Sequence, residues 1–208
     1  MTGGYPDCLA WYQGQLWVGL TRNEGTADTG KVVRCYPQFD TTWTSDSATL
    51  RSSIHTMLEF KGNLYVGTES SGTSAALVHK RLASDGTYST SFTSAGGAGG
   101  SNHFASMVVF SDELYCVEYF DSVSDIAHIK KFDGTTWTTD RDVDATDGWV
   151  ADQWPGNSLV YDSALYFAFR DINRLSANSF VMRKSGGTWT KVLTTDLNGM
   201  LAALVERS

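Results

Sequence analysis

Short stretches of alternating apolar and polar residues follow one another along this chain, each bounded by Gly, Asp, Ser or Asn. Alternation with a period of two predicts half-buried β-strands, and no segment sustains a helical period with caps. One phrase punctuates the pattern four times. It reads Tyr12-Gln13-Gly14-Gln15-Leu16-Trp17, Phe60-Lys61-Gly62-Asn63-Leu64-Tyr65, Phe110-Ser111-Asp112-Glu113-Leu114-Tyr115 and Tyr161-Asp162-Ser163-Ala164-Leu165-Tyr166. Its leucines lie 48, 50 and 51 residues apart. Each phrase reads as two strands joined by a tight turn, and a period of this size marks a repeat architecture.

Every unit extends to four strands, most clearly the third. There Ser106 to Phe110, Leu114 to Tyr119, Ala127 to Phe132 and Thr135 to Thr139 are predicted strands, with turns at Ser111-Asp112 and Asp133-Gly134. Asp85-Gly86 and Gly186-Gly187 occupy the second turn in two other units. An aromatic recurs in the fourth strand as Trp43, Tyr88, Trp137 and Trp189. The pattern predicts an all-β chain, a β-propeller with four four-stranded blades in one domain over 1–208. The blades cover about 8–53, 54–102, 103–156 and 157–199. A further strand-like segment, Met200 to Val205, falls where a fifth first strand would begin. Three arrangements suit it: a tail packed on a four-bladed ring, a five-position ring with an incomplete last blade, or a strand added to a neighbouring subunit's edge.

The stretches Phe60-Lys61-Gly62-Asn63-Leu64-Tyr65-Val66-Gly67-Thr68 and Phe132-Asp133-Gly134-Thr135-Thr136-Trp137-Thr138 resemble known propeller repeats. The group includes kelch-like and tachylectin-like proteins, and the nearest repeats are of a type found in bacterial and bacteriophage proteins. The resemblance covers about residues 8–199 and implies a blade, not an activity. The double glycine that kelch repeats carry after the second strand is absent.

Composition narrows the partners. The 208 residues are 41% hydrophobic with a formal net charge of −7. That charge speaks against nucleic acid and against an electrostatic membrane anchor. No apolar run is long enough for a bilayer span. Met1-Thr2-Gly3-Gly4-Tyr5-Pro6 has neither the basic nor the apolar region of a secretory signal, so export by that route is not expected. Cys8, Cys35 and Cys116 make an odd count, read as small thiols in a protein assembled in a reducing cytoplasm.

Candidate chemistry is sparse. Asp140, Asp142, Asp144 and Asp147 alternate through an acidic connector and are a weak calcium candidate; Ala145 and Ala151 stand where a calcium loop needs Gly and Glu. Trp149, Asp152, Gln153 and Trp154 continue that connector, as a cap on the blade or a platform for sugar rings. His55 and His103 precede the first strands of two units, so both can approach one end of the ring, but no metal-binding spacing accompanies them. Arg34, Arg81, Lys131, Arg183 and Lys184 recur in third strands and read as a solvated face. The run 94–102 is rich in glycine without the Lys-Ser/Thr of a phosphate loop. No nucleophile with a base is evident, and no metal or cofactor is expected.

These readings give a non-enzymatic structural and binding module, a bacteriophage virion component such as a fibre, tail or capsid-decoration protein, with a host-attachment role. Its expected partners are virion proteins or itself, and cell-surface glycan. The alternatives are a lectin-like glycan-binding propeller, acting outside the cell, and a polysaccharide-active enzyme with carboxylates converging on one face.

Overall fold

The structure, a computed structural model, describes residues 5–21, 29–36, 42–46, 50–51, 53–70, 75–94, 101–121, 126–147, 153–171 and 179–195. All regular structure among them is β-strand; no helix there is long and apolar enough to cross a membrane. The chain divides into two compact units, Met1–Phe104 and Ala105–Ser208.

In the first unit, β1 (Tyr5–Tyr12), β2 (Gln15–Thr21), β3 (Thr29–Cys35) and β4 (Thr44–Ser45) form an antiparallel meander, and the short β5 (Leu50–Arg51) pairs with β3. A second meander follows: β6 (Ile54–Phe60), β7 (Asn63–Ser70), β8 (Leu77–Arg81) and β9 (Tyr88–Thr93). The opening residues of β10 (Ser101–Phe110) pair with the end of β7, His103 opposite Glu69. In the second unit the rest of β10 leads to β11 (Glu113–Asp121), β12 (Ala127–Phe132) and β13 (Trp137–Val143). A fourth meander runs β14 (Gln153–Tyr161), β15 (Ala164–Asp171), β16 (Ser179–Ser185) and β17 (Thr188–Thr195). The extra strand expected at 200–205 lies outside the described residues.

The recurring phrase is a hairpin each time, and its turn is left-handed at both central residues. Gln13 and Gly14 have φ of 50° and 70°, Lys61 and Gly62 47° and 74°, Ser111 and Asp112 52° and 62°, Asp162 and Ser163 48° and 57°. Such turns match the twist of the flanking strands. The aromatic before the turn then meets the aromatic after it edge to face. Tyr12–Trp17, Phe60–Tyr65 and Phe110–Tyr115 have ring centroids 5.6, 6.0 and 6.2 Å apart, a geometry favoured by the ring quadrupoles.

Burial follows the phrase. Trp17, Val32, Ile54, Leu64 and Val66 centre the core of the first unit; Tyr115, Val117, Ile129, Leu165, Phe167 and Phe180 centre that of the second. Two second-strand glycines admit close neighbours. A Cβ on Gly19 would lie 2.6 Å from both Cys8 Sγ and Ile54 Cγ2, and one on Gly67 2.7 Å from Thr56 Cγ2.

The third-strand cations depart from the expected solvated face. Arg81 and Lys184 are buried, because each meets a carboxylate of the preceding meander. Asp46 accepts from Arg81 Nε at 2.7 Å and from the Tyr88 hydroxyl at 3.0 Å. Asp140 accepts from Lys184 Nζ at 2.5 Å and from Trp189 Nε1 at 2.7 Å. The two cations also stand over aromatic faces: Arg81 lies 4.7 Å from the Trp17 ring and Lys184 4.9 Å from that of Tyr115.

Candidate functional site

The described residues hold one close group of three or more metal-ligating side chains, His55, Glu69 and His103, all in the first unit. Backbone irregularity brings part of it together. In β1 the register with β2 shifts between Pro6 and Cys8, and in β6 the register with β7 shifts between Ile54 and Thr56. The extra residues are Asp7 and His55. A bulge re-aims a side chain out of the in-and-out alternation of the strand. Asp7 precedes Leu16 by the same interval as His55 precedes Leu64, so the same slot of two successive repeats supplies both groups. Glu69 lies near the end of β7, and β10 starts beside it, placing His103 directly opposite.

His55 is the hub. Its Nδ1 lies 2.7 Å from Asp7 Oδ2 and its Nε2 3.0 Å from Glu69 Oε2. Burial works against a charge on this ring, but hydrogen bonds and the charges of both carboxylates outweigh it and raise the pKa to about 9. His55 is therefore an imidazolium at neutral pH, donating from both nitrogens. Burial likewise opposes charge on Glu69, yet the His55 hydrogen bond and the neighbouring histidines hold its carboxyl below the usual range. His103 Nδ1 stands 3.5 Å from His55 Nε2 and 3.8 Å from Glu69 Oε2, the two rings tilted at 52°. Thr21 Oγ1 donates to Asp7 Oδ2 at 3.1 Å. Asp7 is 39% exposed and Glu69 23%, against 6% for His103, so solvent reaches the group from the carboxylate side.

Of the residues singled out from sequence, His55 and His103 are thus brought together. Trp149 and Asp152 lie outside the described residues. Gln153 opens β14 opposite Asp171, and its side chain is outside them too. Trp154 is not in a connector, as expected, but in β14, paired with Arg170. Pro155 is accommodated because the strand shifts register between Pro155 and Ser158, and a bulge tolerates a missing N–H. The Trp154 ring lies half-buried against Tyr119, 6.2 Å between centroids.

The acidic stretch expected as a connector is in part strand: Asp140 and Asp142 lie in β13, which runs on to Val143, and only Asp144 and Asp147 follow it. The four aspartates have separate partners. Asp140 is held by Lys184 and Trp189, and Asp142 lies 2.6 Å from His128 Nδ1. Asp144 Oδ1 accepts from the Thr146 amide and hydroxyl, and Asp147 pairs with Arg141 at 2.7 Å. Burial pushes the Cys8 thiol up to about 12 and the Cys116 thiol up as well, so neither is a thiolate nucleophile at neutral pH. Sequence reasoning missed Asp7 and Glu69. The equal interval before Leu16 and Leu64 was the signal for the first; Glu69 carries none beyond following the second phrase.

No family model matches this chain, and no curated protein does. Solved structures do resemble it. The N-terminal domain of Nup159 is similar over 90% of this chain and 47% of its own, at 7% identity and a TM-score of 0.49. An α-L-arabinanase of Penicillium chrysogenum, complexed with arabinobiose, matches over 86% of this chain and 63% of its own, at 11% identity and a TM-score of 0.54. A thermostable family-43 glycoside hydrolase matches over 92% and 72%, at 12% identity and a TM-score of 0.50. The chain therefore spans about half the length of the first and under two thirds of the second. The expectation of a protein without enzymatic activity is corrected here, since two of these similar structures are glycoside hydrolases. A sequence without a nucleophile motif is no ground for excluding catalysis on a scaffold whose side chains converge from separate strands. The all-β meanders and the likeness to the arabinanase and the family-43 glycoside hydrolase together establish a β-propeller fold.

Proposed function

We propose that this chain is a glycan-directed β-propeller whose working site is the group Asp7, His55, Glu69 and His103. One observation carries the reading: two part-exposed carboxylates flank a charged imidazole at strand ends, 2.7 and 3.0 Å away. Carboxylates beside fixed N–H donors are the groups that meet sugar hydroxyls, which both donate and accept. The arabinanase likeness adds that a scaffold of this shape can hold an arabinose disaccharide. Binding to a panel of arabino-, xylo- and gluco-oligosaccharides, followed by calorimetry, tests it. Wild-type protein is expected to bind at least one class and Asp7→Asn with Glu69→Gln to lose it. A blank panel overturns the reading.

Hydrolysis of the bound glycan is the second reading, favoured because Asp7 and Glu69 converge on one ring from two strands. A pair of carboxyl groups is what glycosidic acid–base chemistry requires. Release of reducing ends from the bound class, abolished in the same double variant, tests it. The setting we propose is a bacteriophage particle, with the propeller as a fibre, tail or decoration protein contacting host glycan. Its support is the resemblance of the repeat phrase to repeats of a type found in bacterial and bacteriophage proteins. Antibody labelling of intact particles checks this, and absence from purified particles refutes it.

A further inference from the structure

We infer that His55, Glu69 and His103 form a binding site for a divalent transition metal of the zinc class, with Asp7 as the residue that orients His55. The spacing of the donor atoms carries this. His55 Nε2, His103 Nδ1 and Glu69 Oε2 are separated by 3.0, 3.5 and 3.8 Å. The nearest point equidistant from three atoms so placed lies about 2.0 Å from each, in their plane, and an ion at about 2.1 Å, the length of a zinc–nitrogen or zinc–oxygen bond, sits a fraction of an ångström above it, facing a fourth position. The donors therefore need only small shifts in position, with the ion displacing the proton that His55 Nε2 shares with Glu69.

Asp7 supplies the second, independent observation. A histidine that ligates through one ring nitrogen nearly always donates from the other to a carboxylate, which fixes its tautomer and orientation. His55 Nδ1 already lies 2.7 Å from Asp7 Oδ2, leaving Nε2 directed at Glu69 and His103. The donor set selects among ions. Two imidazoles with one carboxylate suit zinc, cobalt, nickel or copper, whereas calcium and magnesium want oxygen alone. Three protein donors also leave a fourth position open on a tetrahedral ion, the arrangement of exchangeable rather than purely structural sites. The metal site stands on this geometry by itself. Only the use of the open position for a sugar hydroxyl rests on the glycan reading.

The test uses tag-free, full-length protein stripped with chelator and titrated with zinc alone, then with cobalt alone. One equivalent of zinc is expected to bind, and cobalt to give the visible absorption of a tetrahedral nitrogen–oxygen site. His103→Ala and Glu69→Gln should abolish the cobalt spectrum. Asp7→Asn should weaken zinc by about 10- to 100-fold, and His128→Ala should leave it unchanged. Zinc in large excess over its dissociation constant should raise the wild-type unfolding midpoint by about 5 to 10 °C, a readout that needs no variant to fold. Zinc uptake no greater than that of the His55→Ala/His103→Ala double variant, or an unmoved wild-type midpoint, overturns the inference. Stoichiometric zinc with a blank oligosaccharide panel refutes the glycan reading and leaves the metal site standing.

Discussion

Asp46 and Arg81 form a buried ion pair across two successive meanders, Oδ2 to Nε at 2.7 Å, with side chains only 5% and 7% exposed. Arg34 adds a second contact to the same carboxylate, 2.9 Å from its Oδ1. Removing the carboxylate strands a buried guanidinium, and breaking such a pair costs about 3–5 kcal/mol. Asp46→Ala should therefore lower the urea midpoint of the unfolding step that includes the first unit. A loss no greater than that of an exposed strand control in the same unit such as Glu59→Ala would refute the clasp.

Asp140 gives a pH-dependent counterpart. Burial opposes its charge, but hydrogen bonds from Lys184 and Trp189 and the charges of Lys184 and Lys131 hold its carboxyl below the ordinary 3.8. A depressed folded-state value means stability that is fully present above the unfolded pKa and lost as pH falls through the folded one. The loss thus falls below about pH 4. Wild-type melting temperature should drop more steeply there than that of Asp140→Asn, which should be less stable at neutral pH. Parallel pH profiles would argue that the pair contributes nothing.

Gly19 and Gly67 test the packing between strands. A methyl group at Gly19 meets Cys8 and Ile54 side-chain atoms at 2.6 Å. Overpacking of this kind costs about 1–3 kcal/mol. Gly19→Ala should destabilise by that amount in chemical denaturation, and Gly19→Ala combined with Cys8→Ala, which removes the Sγ that the new methyl meets, should recover part of it. Unchanged stability in the single variant would show that Ile54 gives way freely.

The Asp162-Ser163 turn offers a gain. Ser163 holds φ of 57° without being glycine, and an L-residue in this region carries a cost of about 1 kcal/mol. Ser163→Gly should stabilise by up to about 0.5 kcal/mol, the relief of strain set against the entropy of a freer unfolded chain. The side chain is exposed, so no packing is lost. A destabilised variant would contradict the left-handed assignment.

The hairpins were legible in sequence because their determinants are local. Two-residue turns, flanking aromatics and the fourth-strand aromatic all lie within a few residues of one another. Tyr88 and Trp189 were visible as a recurrence; their partners Asp46 and Asp140, 42 and 49 residues away, were not. Trp154 was misplaced for the opposite reason. Pro155-Gly156 reads as a loop by local rules, and only pairing with Arg170 and Phe169 makes it strand. His55 and His103 stand apart in the sequence, 48 residues from one another. Their meeting depends on β10 starting beside the end of β7, and that of His55 with Asp7 on two bulges, which alternation patterns cannot display.

The bulges at Asp7 and His55 have a consequence for how such a protein diversifies. A residue inserted outside the pleat carries no share of the sheet's packing, so its identity is free to change without disturbing Ile54, Thr56 or their equivalents. The first two repeats thereby each own one position at which an acid, a base or a ligand can be exchanged by a single codon. The scaffold is inherited as a whole, while its chemistry is rewritten one repeat at a time.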